Sequence, residues 1–585
     1  MLTAVLLLVA NLAATGALVH HLDDKLPVVR FRLLTTFITI SSVQLFFYGL
    51  WKVFLKPLCF SPFKHLPKPP GGSWINGHFR EIMDLGNGEA EVKWRVNLQP
   101  SYSTPLCKVN SNRMKEIPNK GIIHCRGILN GERLIVSSPT ALAKIASDNY
   151  TFIKPMAIKL LAGRVLGMGL VLTERDEHKQ QRKLFLPPFA PKHIRDLYPT
   201  FWEKACEVTD VMGDIISETE GTEVQDSVSN ENGGIEIGEW AARVALDIIT
   251  LSAMGKDFGS VSDAHAPLAK VYHAVLQPTL GHVVVAILKN FFPARLVEAL
   301  PLKANQDQGS AYDTIRGVCR DLLRGKKAQM AGGHELKGRD ILSVCLRYEE
   351  IAGVDEDEVI NQMTTILGAG HETISVGITW AVYMLCLHRD WQGRLREEVR
   401  ATVPSPDWKG EGESMSSAHV ERMPLMRAFL EEVLRWYPPI PMTMREPLVD
   451  TELDGQYVPK GTRIVVPIKA INREEKFWGA DAKRFNPARW LRDGAQGQEF
   501  NSSGGVKNKY GYLTFNHGPR SCVAAEFARA EMACVVAAWV GRFELDLADE
   551  RFRDEDNMKT SNGNFSGKPL EGLYVRVKVL GGGSW

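Results

Sequence analysis

Paired cysteines are missing from this chain. Its nine cysteines are scattered over 585 residues, at positions such as Cys59, Cys206, Cys345 and Cys534, and none stands in a C-x-x-C spacing. An odd, unpatterned set excludes a disulfide framework and fits a reducing compartment. No two histidines are spaced H-x-x-x-H, so a zinc site has no support. Long basic runs are absent and the formal net charge is only +2, which argues against nucleic acid as a partner. There is no internal repeat and no glycine-rich dinucleotide fingerprint after a strand, so no flavin or nicotinamide domain is built in. What is present is a globular composition, 44% apolar and 24% charged, sufficient for a large packed core.

The N-terminus differs in kind. Leu2–Leu22 carries no formal charge, and neither does Leu33–Trp51, which Arg32 and Lys52 close off. Each run is near the ~20 residues a helix needs to cross a bilayer. The first could instead be a cleaved signal peptide, with Ala14-Thr15-Gly16-Ala17 as its site, but it lacks a basic n-region and a second apolar run comes after it. Residues 1–56 therefore read as a membrane anchor in contact with lipid, whether the first run spans or lies in the interface. Lys52, Lys56, Lys64 and Lys68 crowd the exit, which places the rest of the chain in the cytosol. The sequons at Asn149, Asn501 and Asn564 would then stay bare.

Residues 57–72, rich in proline and closed by Gly71-Gly72, read as a stiff hinge, and 73–585 as the main body. Arg126–Ser138 holds two β-like runs, Gly127-Ile128-Leu129 and Leu134-Ile135-Val136-Ser137. From Glu174 to about residue 440 the pattern is mainly helical. Polar gaps at Glu218–Gly234, Lys303–Gly309 and Ala331–Gly338 read as loops between helices. Residues 264–302 are unusually apolar. Beyond 440 come short β-type runs, an irregular stretch Arg492–Lys509, a helix from Ala524 to about Val540, and a β-rich tail.

One cysteine has a special setting, Phe515-Asn516-His517-Gly518-Pro519-Arg520-Ser521-Cys522. A cysteine that serves haem iron as a thiolate needs backbone N–H groups around the sulfur, a cation for a propionate and an aromatic to exclude water. The Gly518 turn, Arg520 and Phe515 are the candidates. The segment resembles the haem-binding loop of the cytochrome P450 superfamily, F-x-x-G-x-R-x-C-x-G, with Ala524 in place of the last glycine.

The resemblance extends along the chain from roughly residue 60. Ala369-Gly370-His371-Glu372-Thr373, within the helical run Val359–His388, resembles the central-helix pattern A-G-x-[D/E]-T, although Ile374 stands where a second hydroxyl is frequent. An acid and an alcohol in an apolar helix cost stability, and delivery of protons to dioxygen is what the pair supplies. Thr373 and Glu372 are the expected catalytic residues, and Gly370 is expected to leave room for oxygen and water. Glu432 and Arg435, at i and i+3, together with Arg489 of Pro487-Ala488-Arg489-Trp490, resemble the family's structural Glu-Arg-Arg cluster. His178 and Arg182 match the W-x-x-x-R motif with His178 in the Trp position, and Arg445 falls at the propionate-binding arginine before a strand. The resemblance implies haem b bound through Cys522, with His178, Arg182, Gly370, Arg445, Phe515, Gly518 and Arg520 around it.

The implied fold is mainly α with a small β-rich region, the haem lying between a long central helix and the cysteine loop. The apolar stretch 264–302 would be the lid over the substrate channel, dipping into the membrane, or an ordinary core helix. Against the family, Asn97–Lys115 looks inserted, as a surface loop or an unspliced intron. The implied activity is a monooxygenase on the cytosolic face of the endoplasmic reticulum, taking electrons from NADPH–cytochrome P450 reductase. Its substrate would be a hydrophobic small molecule, a fungal secondary-metabolite intermediate of terpenoid, polyketide or alkaloid type. Competing readings are a fatty-acid or alkane hydroxylase, a haem-thiolate isomerase or dehydratase, and a non-catalytic haem carrier; Glu372-Thr373 counts against the last two.

Overall fold

The computed structural model describes residues 27–85, 89–90, 121–219, 234–264, 266–276, 281, 284–285, 288, 294–332, 338–347, 354–403, 415–494, 497–561 and 566–580. The first apolar run, Asn97–Lys115 and Asn564 lie outside them. Two compact units result, Met1–Glu81 with Arg113–Ile135, and Ile82–Asn112 with Val136–Trp585.

In the first unit, helix Pro27–Leu50 runs on through a wider turn at Trp51–Leu55 to Lys56–Cys59. Thr35–Cys59 is long and apolar enough to cross a membrane, with mean hydropathy 1.4. Phe46 and Phe47 are 66% and 61% exposed, which a water-soluble helix would avoid by packing them. Within the proline-rich stretch 57–72, Pro67 O accepts from His124 N–H at 2.9 Å, and Pro69 O lies 3.2 Å from His78 Nε2. Strands Ile122–Arg126 and Glu132–Val136 are sheet neighbours. The first β-like run expected here is instead their tight turn, with Leu129 and Asn130 at positive φ. Asn130 tolerates that region, and its buried amide donates to Trp74 O at 2.6 Å.

The second unit is built around helix Glu356–Leu387, which buries side chains on every face, among them Ile360, Leu367, Trp380 and Tyr383. Such a helix belongs to the middle of a large core. Helix Ile237–Met254 packs along it, and helix Ala525–Arg542 packs on both it and Tyr198–Thr219. Strands Arg463–Val466, Thr443–Pro447 and Phe152–Ile153 lie side by side, antiparallel, with Ile153 opposite Glu446. Phe543–Leu547, Tyr574–Val579 and Ile235–Glu236 form a second antiparallel sheet.

Two expected loops are wrong in part. Lys303–Gly309 is the start of helix Lys303–Ala331, begun after Pro301 and tied back by Asn305, whose amide donates to Val297 O and Leu300 O. Polar composition there marks a solvated helical face, not a break. Arg492–Lys509 contains a hairpin, Leu491–Gly494 with Gly497–Phe500, closed by the Arg492–Glu499 pair at 3.1 Å. Of the apolar stretch 264–302, the described parts include helices Pro267–Leu276 and Ala294–Glu298, with Leu268 and Tyr272 buried but Leu296 64% exposed.

Candidate active site

The Cys522 loop is fixed by its backbone. Asn516 and Gly518 take positive φ, Gly518–Arg520 forms one short turn, and Cys522 N–H donates back to Phe515 O at 2.8 Å. Gly518 is irreplaceable on two counts: φ is +71°, and a Cβ would sit 2.5 Å from Ala146 O. Burial pushes the Cys522 thiol up, while the Ala524 N–H, Arg529 and Arg182 pull it down. The sulfur thus has the backbone donor and the cations that a thiolate needs, and Ala524 supplies the donor despite its added methyl. Cys522 keeps exposed surface although protein surrounds it closely enough to penalise its charge. Phe515 is half-buried, with the Arg529 guanidinium 4.5 Å over its ring.

The expected cations gather beside this loop. Arg182 donates to Ser521 O at 2.8 Å and Ser521 Oγ at 3.0 Å, bracing the loop itself. Arg520 donates to Thr173 O at 2.7 Å and pairs with Glu174. Among the described residues Arg445 donates to Thr443 Oγ1 and Met444 O, and burial lowers it to about 10. His178 is buried, and burial, Lys154 and Arg182 lower it to about 4, so it is a neutral imidazole. Lys154 was missed in the sequence. It carries no motif, but the pairing of Phe152–Ile153 with Glu446–Pro447 seats it beside Arg445. Burial holds its amine well below the usual range, and Arg445, Arg520 and Lys159 push it further down. A buried group of cations with Glu174 as its paired carboxylate fits an added dianion, such as the two propionates of haem.

On the central helix, Thr373 Oγ1 donates to Ala369 O at 2.8 Å, so its proton is engaged and its lone pairs remain to accept. Glu372 Oε1 accepts from Ser566 Oγ at 2.6 Å, a partner 194 residues away that nothing local in the sequence marks. Gly370 corrects an expectation. The side on which its Cβ would project is filled by Ile249, 2.8 Å away, so the glycine lets helix Ile237–Met254 approach closely and opens no space there. Ile374 is packed in the core. His371 is buried against Tyr272, ring centroids 4.9 Å apart.

The Glu432 cluster is complete. Oε1 accepts from Arg435 Nη2 at 2.7 Å, Asn486 N–H at 2.7 Å and Arg489 Nε at 3.2 Å; Oε2 accepts from Arg435 Nε at 2.7 Å and Trp490 Nε1 at 2.9 Å. Arg435 also donates to the carbonyls of Asn472, Ala482 and Arg484. Asp481 holds the far end of Arg489 at 2.8 Å. Every charge is matched, which a fully buried pair requires.

A cytochrome P450 family model matches residues 127–571. The chain is 75% identical, over the whole of both chains, to cytochrome P450 monooxygenase buaD of Petromyces alliaceus. It is 36% identical to cytochrome P450 monooxygenase sphH of Aspergillus fumigatus over 89% of each, and 34% identical to cytochrome P450 monooxygenase FUM15 of Gibberella moniliformis over 91% of each.

Proposed function

The chain belongs to the cytochrome P450 family and is a haem-thiolate monooxygenase, and on that premise we propose that Cys522 is the cysteine that holds the iron of haem b. When bound, the haem supplies the activation of dioxygen, one atom entering the substrate and the other leaving as water. Arg445, Arg520 and Lys154 balance its propionates, with His178 donating from a neutral ring and Arg182 both bracing the loop and adding charge. The geometry of the Cys522 loop carries this reading: Cys522 N–H is held on Phe515 O, Arg182 closes on Ser521, and Arg520 reaches back to Thr173 O.

Glu372 and Thr373 bring protons to the reacting oxygen. Thr373 accepts a hydrogen bond, since its own proton is committed to Ala369. Glu432, Arg435 and Arg489 are structural and touch no reactant. Electrons come from NADPH–cytochrome P450 reductase. Helix Thr35–Cys59 anchors the protein in the endoplasmic reticulum membrane, with 73–585 as the haem-thiolate catalytic domain in the cytosol. The substrate is a hydrophobic small molecule, a fungal secondary-metabolite intermediate; the fungal sources of the relatives support that class.

Ferrous protein with CO should show the strongly red-shifted Soret band of a thiolate complex, and Cys522→Ala should abolish it. Retention of the band in that variant would refute the assignment. Thr373→Ala, assayed with reductase and substrate, should still consume NADPH but release peroxide or extra water in place of product, by a factor of about 10²–10⁴ if the full acid–base contribution is lost. Normal product per NADPH would remove Thr373 from the relay.

A further inference from the structure

Ser566 is 1% exposed, yet its hydroxyl is not spent on its own loop. It donates to Glu372 Oε1 at 2.6 Å, across 194 residues. The backbone that carries it is held on several sides. Gly567 N–H donates to Pro439 O at 2.9 Å, Ser561 N–H donates to Lys568 O at 2.8 Å, and Thr560 bridges Pro569. Trp380 Nε1 donates to Gly567 O at 2.8 Å. Trp380 lies about two turns beyond Glu372 on the same helix. The helix therefore grips residues 566–567 at two points, once through an indole and once through the carboxylate.

A glutamate on a helix has several accessible rotamers, and a carboxylate that moves protons works only from the one that faces its partner. We propose that Ser566 is a positioning residue for Glu372, fixing the carboxylate's direction and making the 566–569 loop part of proton delivery. This rests on the relay reading of Glu372. With Oε1 engaged by Ser566, proton exchange falls to Oε2. The loop's position is then felt at Glu372, so that a displaced loop turns the carboxylate and lowers coupling without touching the haem ligand.

The test compares Ser566→Ala, Ser566→Thr, Glu372→Gln, Glu372→Ala and the Ser566→Ala/Glu372→Gln double variant as full-length holoprotein. CO-complex yield first establishes equal haem content. With reductase and a substrate found by metabolite profiling, Ser566→Ala should lower the product-to-peroxide ratio about tenfold, the equivalent of one hydrogen bond to a charged group. Ser566→Thr should restore it, and the double variant should be no worse than Glu372→Gln alone. A second readout needs no turnover. In the ferric protein, Glu372→Ala should speed amide hydrogen exchange at 566–568, whereas Glu372→Gln, which keeps an acceptor oxygen, should not. Normal coupling in Glu372→Gln would overturn the relay reading itself. Impaired Glu372→Gln with normal Ser566→Ala, or losses that add in the double variant, would overturn the role of Ser566 and leave the relay standing.

Discussion

At Glu432, two carboxylate oxygens take five donated hydrogen bonds, and Arg435 places its remaining donors on three carbonyls. Neither side chain has any solvent exposure. Removing one partner leaves the other as an uncompensated buried charge, so Arg435→Ala should cost on the order of 3–5 kcal/mol and appear as lost haem content and poor folding. Urea unfolding of the variant checks it, and a loss below about 1 kcal/mol would contradict the arrangement. His371 behaves differently. Burial lowers its folded pKa to about 4 from an ordinary 6.5. Between those values the unfolded chain binds the extra proton, so stability falls as pH drops from 6.5 towards 4. His371→Leu should flatten that part of the acid limb, read as the change in urea midpoint between pH 6.5 and 4. An unaltered slope would mean that the imidazole is not desolvated as described.

Among the elements, the apolar helix proposed as the anchor was plain in the sequence because an uncharged run of bilayer length needs no tertiary partner to be recognised. Its exposed Phe46, Phe47 and Trp51 fit lipid better than water. A chain starting near Ser61 should partition from membrane to supernatant on fractionation while still forming the CO complex. If it stays fully membrane-bound, the helix is not the principal anchor. Helix Glu356–Leu387 was also legible, since its apolar run far exceeds a strand's length. Helix Lys303–Ala331 was not fully legible, because Lys303–Gly309 offers Ala304 as its single apolar side chain, too little to show a helical period. The turn at Leu129–Asn130 was hidden for a related reason. Three apolar residues look like strand until a positive φ shows the chain reversing.

Over the whole molecule, the sequence by itself determined the family, the cysteine loop, the acid–alcohol pair and the Glu-Arg-Arg set. The cysteine loop, the acid–alcohol pair, and Glu432 with Arg435 each lie in a short motif that resembles the family's, and Arg489 lies in another; a left-handed turn at Gly518 and an i, i+3 spacing at Glu432 and Arg435 are local features. The tertiary structure alone decided what depends on distant segments meeting. It put Lys154 beside Arg445 through strand pairing, filled the side of Gly370 with Ile249, and closed Glu372 onto Ser566. Such contacts leave no periodic trace in the chain. Their partners are selected by packing across hundreds of residues, and a lysine, a glycine or a serine there looks like any other until the fold brings it to the site.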